Sequence, residues 1–257
     1  MAQQAPQTQD GWFVLHDFRR VCWHAFHALS ADRQQRMRQE LSQFLTASQQ
    51  IATAKTGAFA LFAMAGHRSD FLLLHLRSSL KELIALERTL NCLGENVLQQ
   101  SHSFVSVVEL SNYTQPTATT QLSAQQRQAI RARLFPAVPN MQYVCFYPMN
   151  KLRQPDNNWY LLPLQQRQQL MKEHGMSGRK FAGRVTQMIS GAMGLDDWEW
   201  GVTLFADDPV IFKQVVATMR FDEVSARYGE FGPFYVGNRM AIDPFLCLFG
   251  ADNTAVK

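Results

Sequence analysis

The sequence lacks any apolar run close to the roughly 20 residues that a membrane-spanning helix needs. Its first ten residues, MAQQAPQTQD, have neither a basic start nor an apolar stretch. They predict a loose N-terminal tail over residues 1–10 and no export signal. Cysteine is also scarce: Cys22, Cys92, Cys145 and Cys247 form no CxxC pair. This usage predicts buried, reduced thiols in a soluble cytoplasmic protein.

Common functional motifs are missing as well. The net charge of +4 comes from scattered basic residues with no long run, which argues against a nucleic-acid partner and suits a small anionic ligand. There is no GxSxG, Walker loop, GxGxxG or paired His-Glu motif. Six histidines show no spacing typical of a metal cage built from side chains: His16, His24, His27, His67, His75 and His102.

What the sequence does contain is apolar periodicity that switches between two and 3.6 residues. In the first half it predicts strands at 11–18, 57–64, 70–77 and 104–110. One helix follows Ser30, with Met37, Leu41, Phe44 and Leu45 on its inner face, and a second opens at the capping box Ser79-x-x-Glu82, with Leu80, Leu83, Ile84 and Leu90 inward.

The second half repeats this order of elements after a polar connector (111–123) and a short helix (124–134). Strands are predicted at 143–151, 185–190, 198–205 and 231–240, with helices from Pro163 through His174 and after Asp208-Pro209. The pattern predicts an α+β fold of two ferredoxin-like units, of the dimeric α+β barrel type, related by internal duplication. We expect a first, structural unit at 11–122 and a second unit at 123–257 that carries the functional site.

Three positions in the second half are candidates for chemistry. His174 follows Leu170 and Met171 on one helix face and precedes Gly175, a natural helix stop. An inward histidine at a helix C-terminus is more basic and suits an axial iron ligand, although a core or capping histidine is the alternative. Gln187 places one amide on an otherwise apolar inward face, where it needs a partner.

The strand YVCFYPMNK puts Tyr147, Met149 and Lys151 on one face. This row of a phenol, a thioether and an ammonium could form the base of a pocket for a flat, partly apolar, carboxylated ligand. The alternative is an edge strand with Tyr147 in the core and Lys151 in solvent. By themselves Arg133, Arg220 and Ser225 carry no functional signal.

The second half contains the longer stretches YPMNK, NNWYLLP, MKEHGMSGRKFAGRV, GLDDWEWGVTLFADD and MRFDEVSARYGEFGPFYVGNR, and the first half contains GWFVLHDFR and FVSVVELSNY. Together these stretches resemble the coproheme decarboxylases, the haem-synthase branch of the chlorite dismutase-like family. The resemblance runs from about residue 10 to about residue 240, in the order found in the family. It implies two ferredoxin-like units, usually assembled as a homopentamer.

The resemblance also implies roles for individual residues. His174 is then the axial iron ligand of the porphyrin, Tyr147 the redox-active tyrosine, and Gln187 the residue over the iron. The porphyrin edge is lined by Pro148, Met149, Asn150 and Lys151, with Lys151 near a propionate. Arg133 and Ser225 correspond to propionate contacts, and Arg220 to a further one.

The implied reaction converts iron coproporphyrin III to haem b, turning two propionates into vinyl groups with hydrogen peroxide. The iron porphyrin is both substrate and redox cofactor, and an oxidised Tyr147 takes hydrogen from a propionate. A transient contact with the ferrochelatase that supplies coproheme is also implied. Two alternatives remain open: a chlorite dismutase, whose distal arginine is replaced here by Gln187, and a non-catalytic haem-binding protein, which gives no reason for Tyr147.

Overall fold

The computed structural model describes residues 8–94, 96–111 and 123–250. Its strands are β1 (Thr8–Val21), β2 (Ala58–Met64), β3 (Phe71–Arg77), β4 (Leu98–Ser111), β5 (Tyr143–Lys151), β6 (Arg153–Gln154), β7 (Asn157–Asn158), β8 (Thr186–Gly191), β9 (Trp200–Ala206), β10 (Gly229–Phe231) and β11 (Tyr235–Arg239). Its α-helices are α1 (Trp23–Ala28), α2 (Ala31–Thr53), α3 (Leu80–Gly94), α4 (Ala124–Leu134), α5 (Leu164–Arg179), α6 (Val210–Met219), α7 (Glu223–Tyr228) and α8 (Ile242–Cys247). Most of the predicted tail and connector, residues 1–7 and 112–122, lie outside the described residues.

The described chain divides into two compact units. Residues 12–105 and 235–250 form the first unit, and residues 8–11 and 106–234 form the second. This division differs from the predicted boundary after residue 122, because β11 pairs with β2 and so joins the first unit. The predicted strand at 231–240 is correspondingly two strands, β10 and β11, and the loop between them contains Pro233, which has no N–H for a sheet hydrogen bond.

Along the chain the first unit runs β1-α2-β2-β3-α3-β4, and in the sheet its strands lie in the order β2-β3-β1-β4, with β11 added beside β2. This chain order and sheet order are those of a ferredoxin-like unit. Ser30 caps α2 by accepting a hydrogen bond from the Arg33 N–H, as predicted. The predicted inner face of α2 is buried, and each such leucine contributes about 1.5–3 kcal/mol by leaving water. The expectation that Ile84 points inward is wrong, since its side chain is 55% exposed on α3.

The second unit repeats this architecture. Its strands are ordered β10-β5-β9-β8, followed by the end of β4 from Ser106 onward. The element order β5-α5-β8-β9-α6-β10 matches that of the first unit, which confirms the predicted duplicated α+β fold. Helix α5 packs against α6 and α7, and α6 packs against β9. All the candidate site residues lie in this unit.

The cysteines are only partly as expected. Cys145 is buried, but Cys92 and Cys247 are exposed and Cys22 is intermediate, so the prediction of four buried thiols is wrong for three of them. Both exposed cysteines lie on the outer faces of helices α3 and α8, where a small side chain is tolerated without burial. No helix within residues 8–94, 96–111 and 123–250 is long and apolar enough to cross a membrane.

Candidate functional site

Strand β5 forms as predicted over Tyr143–Lys151, and its pairing with β9 defines the face that carries the candidates. Tyr147 lies opposite Val202, and Met149 lies opposite Trp200. Opposed residues of an antiparallel pair project to the same side, and side chains alternate along each strand. Tyr147, Met149 and Lys151 therefore share one face of the sheet with Val202 and Trp200. We call this the Tyr147 face.

Strand β8 continues the Tyr147 face on the other side of β9. Gln187 lies opposite Leu204 and Ile189 opposite Val202, so both project to the same side as Tyr147. The expectation of a buried amide is wrong, because Gln187 is exposed near the start of β8 and Ile189 is 44% exposed. An exposed isoleucine within a sheet is apolar surface that a bound ligand can cover.

The Tyr147 ring packs against two aromatic side chains. Its centroid lies 4.6 Å from that of Phe234 and 6.0 Å from that of Phe231. Burial raises the pKa of the Tyr147 phenol, and the nearby Cys145 thiol raises it further, while Arg220 lowers it. The phenol is therefore protonated over the whole physiological range, and any oxidation of this ring has to remove a proton together with an electron.

Arg220 reaches the same place from the end of α6. Its guanidinium carbon lies 4.5 Å from the Phe231 ring centroid, a cation–π distance, and its charge is close enough to affect the Tyr147 pKa. The side chain is nevertheless exposed. The structure thus brings Arg220 beside Tyr147 and leaves its N–H groups accessible to an anion.

Lys151 is buried, and the alternative of a solvated lysine at the strand end is wrong. Its Nζ lies 4.8 Å from the Trp159 ring centroid, and its backbone N–H donates to Glu199 at 2.7 Å. Burial lowers the pKa of Lys151 to about 8, an effect that Asp222 and Glu199 partly oppose. Lys151 is thus a partly compensated buried cation, suited to a further carboxylate.

His174 does not terminate its helix. Helix α5 continues to Arg179, because its packing against α6 and α7 outweighs the cost of about 1 kcal/mol for a glycine such as Gly175 in a helix. The expected effect of the helix dipole on His174 is therefore absent as well, because that effect is confined to the last turn of a helix. What orients His174 is Asp222, whose Oδ2 lies 2.6 Å from Nδ1.

Asp222 is a candidate site residue that the sequence reasoning missed. Its side chain is 6% exposed and also caps α7 by accepting a hydrogen bond from the Ser225 N–H at 3.2 Å. An aspartate directly before a short helix is a recognisable N-cap, but its bond to a histidine 48 residues away has no local signal. Nδ1–H donation to this carboxylate leaves the His174 Nε2 lone pair available for a metal, the usual arrangement of a histidine ligand.

The other candidates are distributed less simply. Ser225 is buried at the first turn of α7, next to the His174–Asp222 pair. Pro148 and Asn150 alternate with Tyr147 and so project to the opposite face, where Asn150 Oδ1 accepts from the Glu199 N–H at 2.8 Å. This orientation argues against direct contact of the Pro148 and Asn150 side chains with a ligand on the Tyr147 face. Arg133 is exposed on α4.

Comparison with known proteins gives a consistent result. A family model described as chlorite dismutase matches residues 34–240. The structure of a novel heme-binding protein from Thermus thermophilus is 43% identical, with a TM-score of 0.89 and coverage of 97% of this chain and 99% of that one. A mutant chlorite dismutase from Candidatus Nitrospira defluvii is 17% identical, with a TM-score of 0.71 and coverage of 94% and 96% of the two chains, and at that identity it supports the fold alone.

Proposed function

The chain belongs to the chlorite dismutase family, and from that premise we propose that it is a peroxide-dependent coproheme decarboxylase. Its substrate is iron coproporphyrin III, and its product is haem b, formed when two propionates become vinyl groups. The relative from Thermus thermophilus, described as heme-binding, supports an iron porphyrin as the ligand. Action as a cytoplasmic homopentamer, with a transient contact to ferrochelatase, is part of the same proposal.

The observation that carries the proposal is the His174–Asp222 pair. A histidine whose Nδ1 is held 2.6 Å from a buried carboxylate is fixed in orientation and presents Nε2 to a metal. Within the described part of the chain, no group of three or more His, Cys, Asp and Glu side chains is arranged so that it could hold a metal ion. A metal bound by His174 therefore has to bring its other ligands with it, as a porphyrin iron does.

The charges around the pair fit a carboxylated porphyrin. Lys151 is a buried cation beside Asp222, and Arg220 is an accessible cation beside Tyr147. Carboxylates are held most strongly by such charge-assisted hydrogen bonds. The exposed apolar surface at Ile189 suits the face of a flat ring. Contacts of Arg133 and Ser225 with further propionates are predictions from the family resemblance.

The chemistry assigned to the chain itself centres on Tyr147. When bound, the porphyrin iron supplies the activation of peroxide. Tyr147 gives up its hydroxyl proton together with one electron, and its oxygen then takes a hydrogen atom from the β-carbon of a propionate held by Arg220 or Lys151. The second electron also passes to the peroxide oxidant, and the side chain then loses carbon dioxide and becomes a vinyl group. Each conversion uses one peroxide and one proton and forms two waters.

The ring positions explain why one tyrosine can serve this step. Phe234 and Phe231 pack against the Tyr147 ring and so restrict the positions that its hydroxyl can take. Transfer of a hydrogen atom tolerates little misplacement, and confinement by neighbouring rings provides the required precision without a further hydrogen bond.

The test is to mix the protein with iron coproporphyrin III and hydrogen peroxide and to separate the porphyrins by mass. We expect masses that correspond to the loss of carbon dioxide and two hydrogens from one and then two propionates. A carrier protein returns the substrate unchanged or bleached. Absence of the vinyl products at saturating substrate, in a sample whose iron is bound by His174, contradicts the proposal.

A further inference from the structure

Outside the cluster described so far, the Tyr147 face carries a partly buried polar contact between Glu109 and Trp200. Trp200 lies opposite Met149 on β5 and so belongs to the Tyr147 face. Its indole Nε1–H donates to Glu109 Oε1 at 3.1 Å, across 91 residues of sequence. Glu109 lies in the part of β4 that pairs with β8, next to Val108 opposite Ser190.

Gly191 makes this contact possible. It lies opposite Trp200 on β8, and a Cβ at that position would be 2.9 Å from Glu109 Oε1 and closer still to Oε2. Real Cβ atoms essentially never approach other atoms so closely, so the carboxylate occupies the volume that any other residue would fill. The missing side chain therefore lets Glu109 lie flat across β8 and reach the indole.

Burial confirms that this carboxylate is no ordinary surface group. Loss of water raises the pKa of Glu109, and Asp10 raises it further, while the hydrogen bond from Trp200 lowers it. A partly desolvated carboxylate gains more from a single well-directed N–H than an exposed one does. The contact consequently restricts the indole to one orientation on the face, beside the Met149 side chain.

We propose that Glu109 is a positioning residue that fixes the Trp200 indole as a wall of the porphyrin site, with Gly191 providing the space for it. This inference rests on the proposed function in one respect, namely that the ligand of the Tyr147 face is a porphyrin. A fixed aromatic wall beside Met149 contacts a flat ring with little loss of side-chain entropy. Glu109 acts only by orienting the Trp200 indole. For this the residue at position 109 needs a hydrogen-bond acceptor but no charge.

The first measurement uses the porphyrin-free protein, labelled with nitrogen-15 at tryptophan. The Trp200 indole N–H resonance is assigned by its loss in Trp200→Phe. We expect this resonance to shift and its exchange with solvent to accelerate in Glu109→Ala. Glu109→Gln keeps an acceptor oxygen and restores the wild-type behaviour. We expect the Trp200 resonance to change in Gly191→Ala as it does in Glu109→Ala. The added Cβ displaces the flexible end of the Glu109 side chain and requires no backbone shift.

Ser106→Ala is the matched control. Ser106 Oγ donates to Ser190 Oγ at 2.8 Å between the same two strands, but Ser190 precedes Gly191 and projects to the opposite face. This variant removes one hydrogen bond between β4 and β8 without touching the indole, and we expect no change in the Trp200 resonance.

The second measurement is the affinity for iron coproporphyrin III without peroxide. We expect Glu109→Ala and Gly191→Ala to bind about three- to tenfold more weakly, and Glu109→Gln and Ser106→Ala to bind within about twofold of wild type. An indole resonance unaffected by Glu109→Ala overturns the inference, as does an unchanged affinity when the resonance has shifted. Failure of Glu109→Gln to rescue also overturns it. If wild type itself does not bind the porphyrin although the resonances behave as expected, the proposed function is what fails, and Trp200 loses its role as a wall.

Discussion

Replacing Asp222 by Asn isolates the charge that acts on the axial histidine. Asp222 Oδ2 lies 2.6 Å from His174 Nδ1, and at 6% exposure the carboxylate is poorly screened by solvent. An asparagine oxygen still accepts the Nδ1–H, so the loss is the difference between a charge-assisted and a neutral hydrogen bond, about 1–1.5 kcal/mol. That difference corresponds to about five- to tenfold weaker iron binding.

The same change alters the reduction potential of the bound iron. An anionic partner makes His174 a stronger donor and favours the ferric state, so Asp222→Asn should raise the potential. A tenfold change in a one-electron equilibrium corresponds to about 59 mV, so we expect a rise of about 40–60 mV. The assay is a spectroelectrochemical titration of the iron coproporphyrin III complex in the absence of peroxide.

Asp222→Ala provides the comparison. Asparagine is as good an N-cap as aspartate, so Asp222→Asn should keep the cap of α7, whereas alanine also removes the bond to the Ser225 N–H and should lower the stability by about 1 kcal/mol more. A potential and an iron affinity in Asp222→Asn that equal those of wild type would refute the role given to the His174–Asp222 pair.

Three further predictions concern single residues. His174→Ala should abolish the histidine-bound iron spectrum without unfolding the protein, and an unchanged spectrum removes His174 from the site. Because Gln187 has no charge to anchor chlorite, we expect negligible oxygen evolution from chlorite, and sustained turnover favours a chlorite dismutase. Burial lowers the pKa of Lys151 to about 8, so unfolding takes up a proton between that value and the ordinary lysine pKa. Stability of the porphyrin-free protein should therefore rise by on the order of 2–3 kcal/mol over that window relative to Lys151→Met, and parallel pH profiles of the two proteins contradict this.

Local patterns were sufficient for most of the fold. Strand alternation predicted β5 at its observed bounds and placed Tyr147, Met149 and Lys151 on one face, because the side-chain period of a strand depends on the backbone alone. The helix-capping hydrogen bonds of Ser30 and Asp208 were equally predictable from the sequence, because each side chain accepts from a backbone N–H only two or three residues away.

Contacts over long sequence distances were not predictable in this way. The bonds of Asp222 to His174 and of Glu109 to Trp200 span 48 and 91 residues and depend on how α5, α7, β4 and β9 pack. Gly175 was misread for a related reason, because the packing of α5 overrides a local helix-stop signal. The exposure of Gln187 likewise depends on what covers β8, which the pattern of β8 does not contain.

The most direct test of the account is the product formed by Tyr147→Phe at saturating iron coproporphyrin III. The variant keeps the ring and its contacts with Phe234 and Phe231 and loses only the oxidisable hydroxyl. If that hydroxyl merely anchored a propionate, its loss would cost about 1.5–3 kcal/mol of affinity, and decarboxylation would continue at saturation. The account predicts nearly unchanged binding and no vinyl product by mass after addition of hydrogen peroxide, whereas formation of haem b at the wild-type rate would contradict it.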